Sequence, residues 1–260
     1  MDGNNLGFAG GNNLALKHVA TEYVALLNPD AFPESAWLET LIAAAEANPV
    51  VAAFGSCQMV HSSEDVIDGL GDVYHCSGLV WRDRHGKRLA ATQLQPKEIF
   101  SACACAALYR TSAICEVGGF DENFFCYVED IDLGFRLRLA GFKCLLVTDA
   151  VVEHIGAVTT GGQHSDFAVY NGHRNLVWAY VKNMPGWLFW LFLPLHFLIN
   201  MVAIIRFSLS GQTKVILRAK WDAILGLPKM WRARHAIQAS RKASILQLLR
   251  VLDKRFWLGR

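Results

Sequence analysis

The chain has 260 residues, of which 53% are hydrophobic and 18% charged, with a formal net charge of +2 at pH 7. This length accommodates one substantial domain with an appendage, and the apolar content exceeds that of an ordinary soluble domain. The seven cysteines are odd in number and include no Cys-x-x-Cys pair. This argues against a disulfide framework, and we expect reduced, mostly buried thiols of a cytosolic domain.

Predicted helices and strands alternate along the first 154 residues. In the first half we expect a loop over 3–13, a helix over 14–21, a buried strand over 22–27, a helix over 33–49, a strand over 50–60, and an irregular Gly-rich segment with short strands over 62–97. In the second half we expect a strand over 99–110, a short helix over 111–120, a helix over 129–141, and a strand over 143–154. This order predicts an α/β domain with a largely parallel sheet.

The longest apolar run covers residues 187–205 and contains no fully charged side chain. Its nineteen residues just reach the length needed to cross a bilayer. Pro194 and His196 weaken it as a simple span, so we expect a membrane-associated segment over 184–209 that is spanning, kinked or re-entrant. The alternative is a buried pair of core helices broken at Pro194.

The charge is distributed unevenly along the chain. Residues 1–185 carry 12 Lys and Arg against 21 Asp and Glu, whereas residues 206–260 carry 13 against 2. A basic tail beside an apolar run is typical of the cytoplasmic side of a membrane. The tail, 210–260, also mixes apolar and basic residues as an interfacial amphipathic helix does. Nucleic-acid binding by this tail is the rival interpretation.

The turn Asn28-Pro29-Asp30 follows the first predicted strand directly. Ligands of open α/β sheets bind beyond the carboxyl ends of the strands, and proline restricts the backbone that aims the Asp30 side chain. A carboxylate there can hold a divalent cation that neutralises a diphosphate. The simpler alternative is a turn formed for local reasons alone.

Three acids, Glu129, Asp130 and Asp132, cluster at the start of a predicted helix, behind the aromatic stretch 124–127. Helix-dipole complementation and capping account for one or two of them. A carboxylate in a half-apolar setting also acquires the basicity that a general base needs.

Two further residues are candidate ligands. His154 ends a predicted strand; it is either structural or, together with Asp30, part of a mixed histidine–carboxylate metal site. Arg174 lies at the front of a helix, where it can bind phosphate bidentately or face lipid headgroups.

These pieces occur in a particular order: GFAGGNN, LLNPD, SACACAALYRTSAICEVGGFDENFF, YVEDIDLGFRLRLAG, EHIGAVT and HRN. In this order the chain resembles the family 2 glycosyltransferases over about residues 4–180, and most of all their rhamnosyltransferase-like branch. The resemblance implies an α/β fold of the GT-A (nucleotide-diphospho-sugar transferase) type, with helices on both faces of the sheet. It also implies inverting transfer of a sugar from a nucleotide-sugar donor.

The resemblance implies roles for single residues. Asp30 matches the last acid of the family's metal-binding Asp-x-Asp element, with Asn28 in place of the first, so these two contact the donor and Asp30 contacts Mg or Mn. Asp130, next to Glu129, matches the catalytic base. His154 matches a position that helps to bind the metal in some relatives, and Arg174 a position near the donor or acceptor phosphates.

Relatives in this family have further β-α units before the segment that resembles residues 4–13. We therefore expect residues 1–183 to form a partial, incomplete GT-A domain, whose nucleotide-binding portion a separate chain would supply. The expected acceptor is a saccharide or lipid-linked molecule of bacterial surface polysaccharide synthesis, reached at the cytoplasmic face of the membrane, and no nucleic acid is expected as a partner. The alternative is an inactive, membrane-tethered remnant or scaffold.

Overall fold

The computed structural model describes residues 5–63, 65–89, 94–156, 162 and 164–255. Within these residues the helices are α1 (Gly7–Leu16), α2 (Trp37–Ala47), α3 (Thr111–Glu116), α4 (Glu129–Leu139), α5 (Asp166–Asn183), α6 (Gly186–Leu209), α7 (Thr213–Ala239) and α8 (Ile245–Val251). The strands are β1 (Tyr23–Leu27), β2 (Ala31–Pro33), β3 (Val51–Val60), β4 (Ile67–Gly69), β5 (Asp72–Tyr74), β6 (Val80–Arg82), β7 (Lys97–Ile99), β8 (Ala106–Arg110) and β9 (Lys143–His154).

The main sheet is mixed rather than largely parallel. Its strands follow the order β1-β8-β3-β9-β2, with β4 added to β3 and β7 to β9. Among the described strands, β3 and β9 form the one parallel pair. The prediction of a largely parallel sheet is therefore wrong. Between β3 and β8 the chain passes through short strands and not through a crossover helix, so it re-enters the sheet in the opposite direction.

Helices cover both faces of this sheet, as predicted. On one face Trp37 and Leu41 of α2 pack with Phe54 of β3. On the other face Ile114 of α3 and Leu133 of α4 share a core with neighbouring sheet residues. The two faces of β3 are thus both buried, which explains its almost continuous apolar sequence.

The N-terminal helix differs from the prediction. Residues 7–16 are helical and not a loop, and the helix ends at Leu16 instead of continuing to 21. Tertiary contacts hold it: the Asn13 side chain donates to the Phe120 carbonyl (2.8 Å) and accepts from the Phe120 amide (2.8 Å), while Phe8 packs edge-on against the Phe120 ring. These contacts override the weak helix propensity of a Gly- and Asn-rich segment.

The C-terminal helices α6, α7 and α8 share a second core with the sheet domain, which comprises the elements from α1 to α5. Phe135 of α4, Tyr180 of α5, Leu188 of α6 and Met230 of α7 belong to one buried cluster, together with Tyr74 of β5. By length and composition, α6 is the one described helix that is long and apolar enough to cross a membrane. Only 17% of its most apolar stretch is buried, whereas the core helix of a soluble protein is mostly buried.

The cysteines are free thiols, as predicted. Five of them are buried, Cys126 is half-buried and Cys115 is exposed.

Candidate active site

The turn after β1 brings Asp30 to the end of β9. The Asn28 amide donates to the Cys105 carbonyl (2.8 Å), and the Asp30 carbonyl accepts from the Ile155 amide (3.1 Å). Because Ala31 pairs with His154 across β2 and β9, the two side chains meet. The Nε2 atom of His154 lies 3.5 Å from Oδ1 of Asp30. The structure thus brings together the two residues predicted as metal ligands.

Asp68 orients His154 from the other side of its ring. The Nδ1 atom of His154 lies 2.8 Å from Oδ2 of Asp68. A carboxylate at this distance accepts a hydrogen bond from the protonated Nδ1, which in the neutral ring leaves the lone pair on Nε2, on the side of Asp30. Burial alone would raise the pKa of Asp68, but hydrogen bonds from His154 and His85 and the charge of Arg82 outweigh it, so the pKa lies far below its ordinary value.

Two further side chains support Asp68. Arg82 forms an ion pair with Asp68 and places its Nη2 atom 3.3 Å from the Cys103 thiol. The Nδ1 atom of His85 lies 2.7 Å from the backbone carbonyl oxygen of Asp68. Asp68 and Arg82 belong to β4 and β6, in the segment that the sequence indicated only as irregular. The two acids in the Gly-rich sequence IDGLGD were the signal in the sequence that could have indicated Asp68 as a site residue.

The pair Asp30–His154 could supply one carboxylate oxygen and one imidazole nitrogen to a divalent cation. Across the described ranges no group of three or more His, Cys, Asp or Glu side chains forms a metal-ligand set. The Nε2 and Oδ1 atoms are 3.5 Å apart, so both could face one divalent ion. One oxygen and one nitrogen donor would suit Mn²⁺ better than Mg²⁺, which prefers oxygen ligands, with substrate oxygens or water completing the shell.

Asp130 occupies the first turn of α4 and faces the segment between β7 and β8. Its Oδ1 atom accepts from the Ile131 amide (2.8 Å) and its Oδ2 atom from the Ala104 amide (3.3 Å). Ser101 donates through its hydroxyl to the Asp130 carbonyl (2.9 Å). Two backbone amides therefore hold the carboxylate in a defined orientation.

The segment 103–105 lies between the two predicted acids. Its Ala104 amide contacts Asp130, and its Cys105 carbonyl accepts from the turn that carries Asp30. Burial raises the pKa of the Cys105 thiol to about 12; Arg82 opposes this shift, and Asp30, Asp68 and Asp130 add to it. A single buried thiol thus lies within electrostatic range of all three carboxylates.

The other two acids of α4 are buried and differ in their surroundings. Glu129 has one carboxyl oxygen without a hydrogen-bond partner, and burial together with the charge of Asp130 raises its pKa well above the ordinary value. Asp132 is fully buried. Its carboxylate contacts the side chains of Arg136 (2.8 Å) and Lys182 (2.7 Å) and accepts from the side-chain amide of Asn183 (2.7 Å). Burial opposes ionisation of Asp132, but Lys182 and Arg136 bring its pKa below the ordinary value. Asp132 is therefore a structural charge that anchors α4 to α5.

The loop before α4 is conformationally strained. Phe125, Tyr127 and Val128 all have positive φ angles, which is unusual for residues with large or β-branched side chains. Asn175 of α5, which is buried, holds this loop: its Nδ2 atom lies 2.8 to 3.1 Å from the carbonyls of Phe124, Cys126 and Tyr127. The sequence analysis missed Asn175, although it follows Arg174 in the motif HRN.

Arg174 lies beside Asn175 and braces the same loop. It donates to the Asn175 and Asn171 side-chain oxygens (3.0 and 3.2 Å) and to the Phe124 carbonyl (3.2 Å). Its guanidinium stacks on the Trp178 ring at 4.5 Å. The predicted role of Arg174 in phosphate binding stays a prediction. The end of the motif that follows His154, residues 157–159, lies outside the described residues.

The sequence matches known proteins. Residues 1–118 match the model of the family named Glycosyl transferase family 2. Over 150 residues the chain is 32% identical to an N-acetylglucosaminyl-diphospho-decaprenol L-rhamnosyltransferase of Mycobacterium tuberculosis, covering 54% of this chain and 49% of that protein. It is 28% identical to the O-antigen biosynthesis protein RfbC of Myxococcus xanthus, covering 55% of this chain and 12% of RfbC. The chain thus spans about half the length, or less, of these relatives.

A solved structure shares the fold. The crystal structure of GalNAc-T7 with UDP, GalNAc and Mn²⁺ superposes with a TM-score of 0.52 at 14% identity, covering 70% of this chain and 35% of that one. At this identity the likeness concerns the fold alone.

Proposed function

We propose that this chain transfers a sugar from a nucleotide-sugar donor to a saccharide or lipid-linked acceptor in bacterial surface polysaccharide synthesis, as its match to the model of Glycosyl transferase family 2 and its similarity to the rhamnosyltransferase support. The observation that carries the proposal is the arrangement around residues 103–105. The turn that carries Asp30 donates to the Cys105 carbonyl, Asp30 faces His154, and Asp130 accepts from the Ala104 amide. A donor site and an acceptor base at one place are what group transfer requires.

The donor side of the proposed site consists of Asn28, Asp30 and His154. Asp30 and His154 would hold a divalent ion, Mg or Mn, and Asp68 would keep His154 in the tautomer that exposes Nε2. When bound, such an ion offsets the negative charge that develops on a departing nucleoside diphosphate. Arg174 is assigned to the phosphates of donor or acceptor only through the family resemblance.

The acceptor side is assigned to Asp130. Its carboxylate accepts the proton of the acceptor hydroxyl while that oxygen attacks the anomeric carbon, and direct displacement inverts the sugar. Glu129 lies next to it and is buried, and this burial together with the charge of Asp130 raises the pKa of Glu129. The two backbone amides that donate to Asp130 hold its carboxylate in place for this role.

The proposed location is the cytoplasmic face of a membrane. The relative from Mycobacterium tuberculosis is named for an acceptor that carries a decaprenol chain, and a lipid acceptor must be met at a bilayer. The apolar helix α6 and the basic residues that follow it support this location.

A transfer assay tests the proposal. The purified full chain is incubated with Mn²⁺, a panel of nucleotide sugars and a polyprenyl-diphosphate-linked GlcNAc acceptor, and product is detected by mass spectrometry. We expect product with at least one donor, loss of product with a chelator, and a decrease of about 10²–10⁴-fold in turnover for Asp130→Asn. Asp149→Asn, at an exposed position of β9, serves as the matched control.

Donor binding by the same variants separates the roles. Asp130→Asn is expected to bind the nucleotide sugar as the wild type does, as measured by calorimetry. An equal loss of binding and turnover in Asp130→Asn would contradict its assignment as the base. Absence of product with every donor, despite a folded chain, would overturn the proposed activity.

A further inference from the structure

One side of α6 is apolar and unpartnered along its whole length. Trp190, Leu191, Phe197, Leu198, Val202 and Ile205 follow each other at helical spacing, and each is about half exposed or more. A water-facing helix surface normally carries charged and polar residues. This surface is continuous over a helix about 36 Å long.

The opposite side of α6 is fastened to the sheet domain. Leu188 and Phe189 near its start are buried. In its middle, His196 stacks on Tyr180 of α5 with ring centroids 4.0 Å apart, and its Nδ1 atom lies 2.7 Å from the Ser77 carbonyl in the β5–β6 turn. The helix is therefore held against the domain from its start to His196 and does not project from it over this part.

Helix α7 runs antiparallel beside α6. Its Lys220 donates to the Asn200 side-chain oxygen of α6 (2.6 Å). Near the start of α6 the Phe189 ring packs edge-on against two tryptophan rings. Its centroid lies 4.9 Å from that of Trp190 in α6 and 5.6 Å from that of Trp231 in α7. The two helices thus pack together at this end around a buried aromatic ring.

The exposed surface of α7 is amphipathic. Leu217, Trp221, Ile224 and Trp231 form an exposed apolar stripe at helical spacing. Arg218, Lys229 and Arg232 are exposed beside it. Apolar residues flanked by Lys and Arg suit a surface that enters the headgroup region of an anionic bilayer.

We propose that the exposed faces of α6 and α7 form one docking surface for an anionic lipid bilayer, and that α6 lies in the plane of a single leaflet without crossing it. A crossing orientation would carry the domain residues attached to His196, and the charges of α7, into the hydrocarbon layer, where unpaired polar groups are costly. The in-plane orientation places the apolar stripes among the acyl chains and the basic flank at the phosphates. The inference rests on the membrane location proposed above and not on the reaction.

Vesicle flotation of the full chain tests the surface. We expect binding at least about tenfold stronger to phosphatidylcholine vesicles containing phosphatidylglycerol than to phosphatidylcholine alone, and weaker binding at high salt. The variant Leu191→Gln/Leu198→Gln/Val202→Gln should lose most of this binding. The variant Leu38→Gln/Val50→Gln, which changes exposed apolar residues of the sheet domain, is the control and should bind as the wild type does.

Thiol labelling tests the orientation. Ser210→Cys places a thiol in the turn between α6 and α7, and the native Cys115 reports the exposed face of the sheet domain. Both measurements use a chain that also carries Cys126→Ser, so that the half-buried Cys126 thiol does not contribute to the labelling. With sealed vesicles and a membrane-impermeant maleimide, both thiols should react without detergent. Protection of Ser210→Cys until detergent is added would show a spanning helix and overturn the in-plane orientation.

Two outcomes would overturn the docking surface itself. One is unchanged flotation of the α6 variant. The other is a wild-type chain that binds neither kind of vesicle and instead forms a dimer that the α6 substitutions abolish. That result would assign the surface to a second copy of the chain. Transfer to a water-soluble acceptor analogue should be the same in the α6 variant and the wild type, so failure of the proposed reaction is distinguishable from failure of this inference.

Discussion

His154 and Asp30 lie 3.5 Å apart through Nε2 and Oδ1, although they belong to opposite ends of the sheet domain sequence. The antiparallel pairing of β2 with the end of β9 creates this contact. Asp68 holds the far side of the histidine ring at 2.8 Å. Three residues from three separate segments thus form a short carboxylate–histidine–carboxylate row.

Asp68→Asn tests whether this row serves metal binding. Loss of the carboxylate weakens the preference for the Nδ1–H tautomer, so we expect Mn²⁺ affinity in the presence of a nucleoside diphosphate to fall about 10–100-fold. Electron paramagnetic resonance of free Mn²⁺ measures this directly and does not depend on turnover. Asp65→Asn, at a partly exposed position before the same strand, is the control. Unchanged Mn²⁺ affinity in Asp68→Asn would remove the positioning role of Asp68.

Glu129 is expected to impose a pH dependence on stability. Burial and the charge of Asp130 raise its folded-state pKa, so its contribution to stability is fully present below the unfolded pKa of about 4.3 and is lost as pH rises through the folded pKa. Glu129→Gln stays neutral at every pH. Relative to wild type, we expect little change near pH 4 and a gain of about 1–3 kcal/mol in the free energy of unfolding at alkaline pH.

Urea unfolding at several pH values measures this difference. Glu46→Gln, at an exposed position of α2, should run parallel to wild type throughout. If the curves of Glu129→Gln and wild type are also parallel, Glu129 does not resist ionisation in the folded chain.

Lys182 is expected to be essential for stability. It is buried between Asp121 (2.5 Å) and Asp132 (2.7 Å). Lys182→Met leaves Asp132 with fewer partners for a buried charge, which typically costs about 3–5 kcal/mol. Lys242→Met breaks the exposed ion pair with Glu116 and should cost at most about 1 kcal/mol. Thermal or urea unfolding distinguishes the two, and similar losses in both variants would contradict the structural role of Asp132.

Asn175 is expected to control the loop before α4. Asn175→Ala removes the amide that faces three carbonyls, which should cost about 1–3 kcal/mol and release the strained residues 125–128. Hydrogen exchange in this loop should accelerate, while exchange in β3 stays unchanged. Asn48→Ala, which removes a single hydrogen bond to the Ala44 carbonyl, is the control. Slow exchange of the loop in Asn175→Ala would show that other contacts maintain its conformation.

The local elements were well predicted because their signals are local. The strand β1 before a proline turn, the helix α2 and the strand β9 all agree with their apolar spacing and their breakers. The helix α1 was missed because the Asn13 side chain and the Phe8 ring hold it to Phe120, more than a hundred residues away. Strand direction was missed because apolar spacing does not say at which edge the chain re-enters the sheet.

By itself, the sequence determined the resemblance to the family 2 glycosyltransferases, the order of most elements, the apolar segment with its basic tail, and the candidates Asp30, Glu129, Asp130, His154 and Arg174. Only the tertiary structure decided that His154 faces Asp30, that Asp68 and Asn175 support the site, and that Asp132 is an anchor for Lys182. It also showed that α6 lies along the sheet domain through His196. These contacts join residues from distant segments, and their geometry depends on strand pairing and packing that no local pattern encodes.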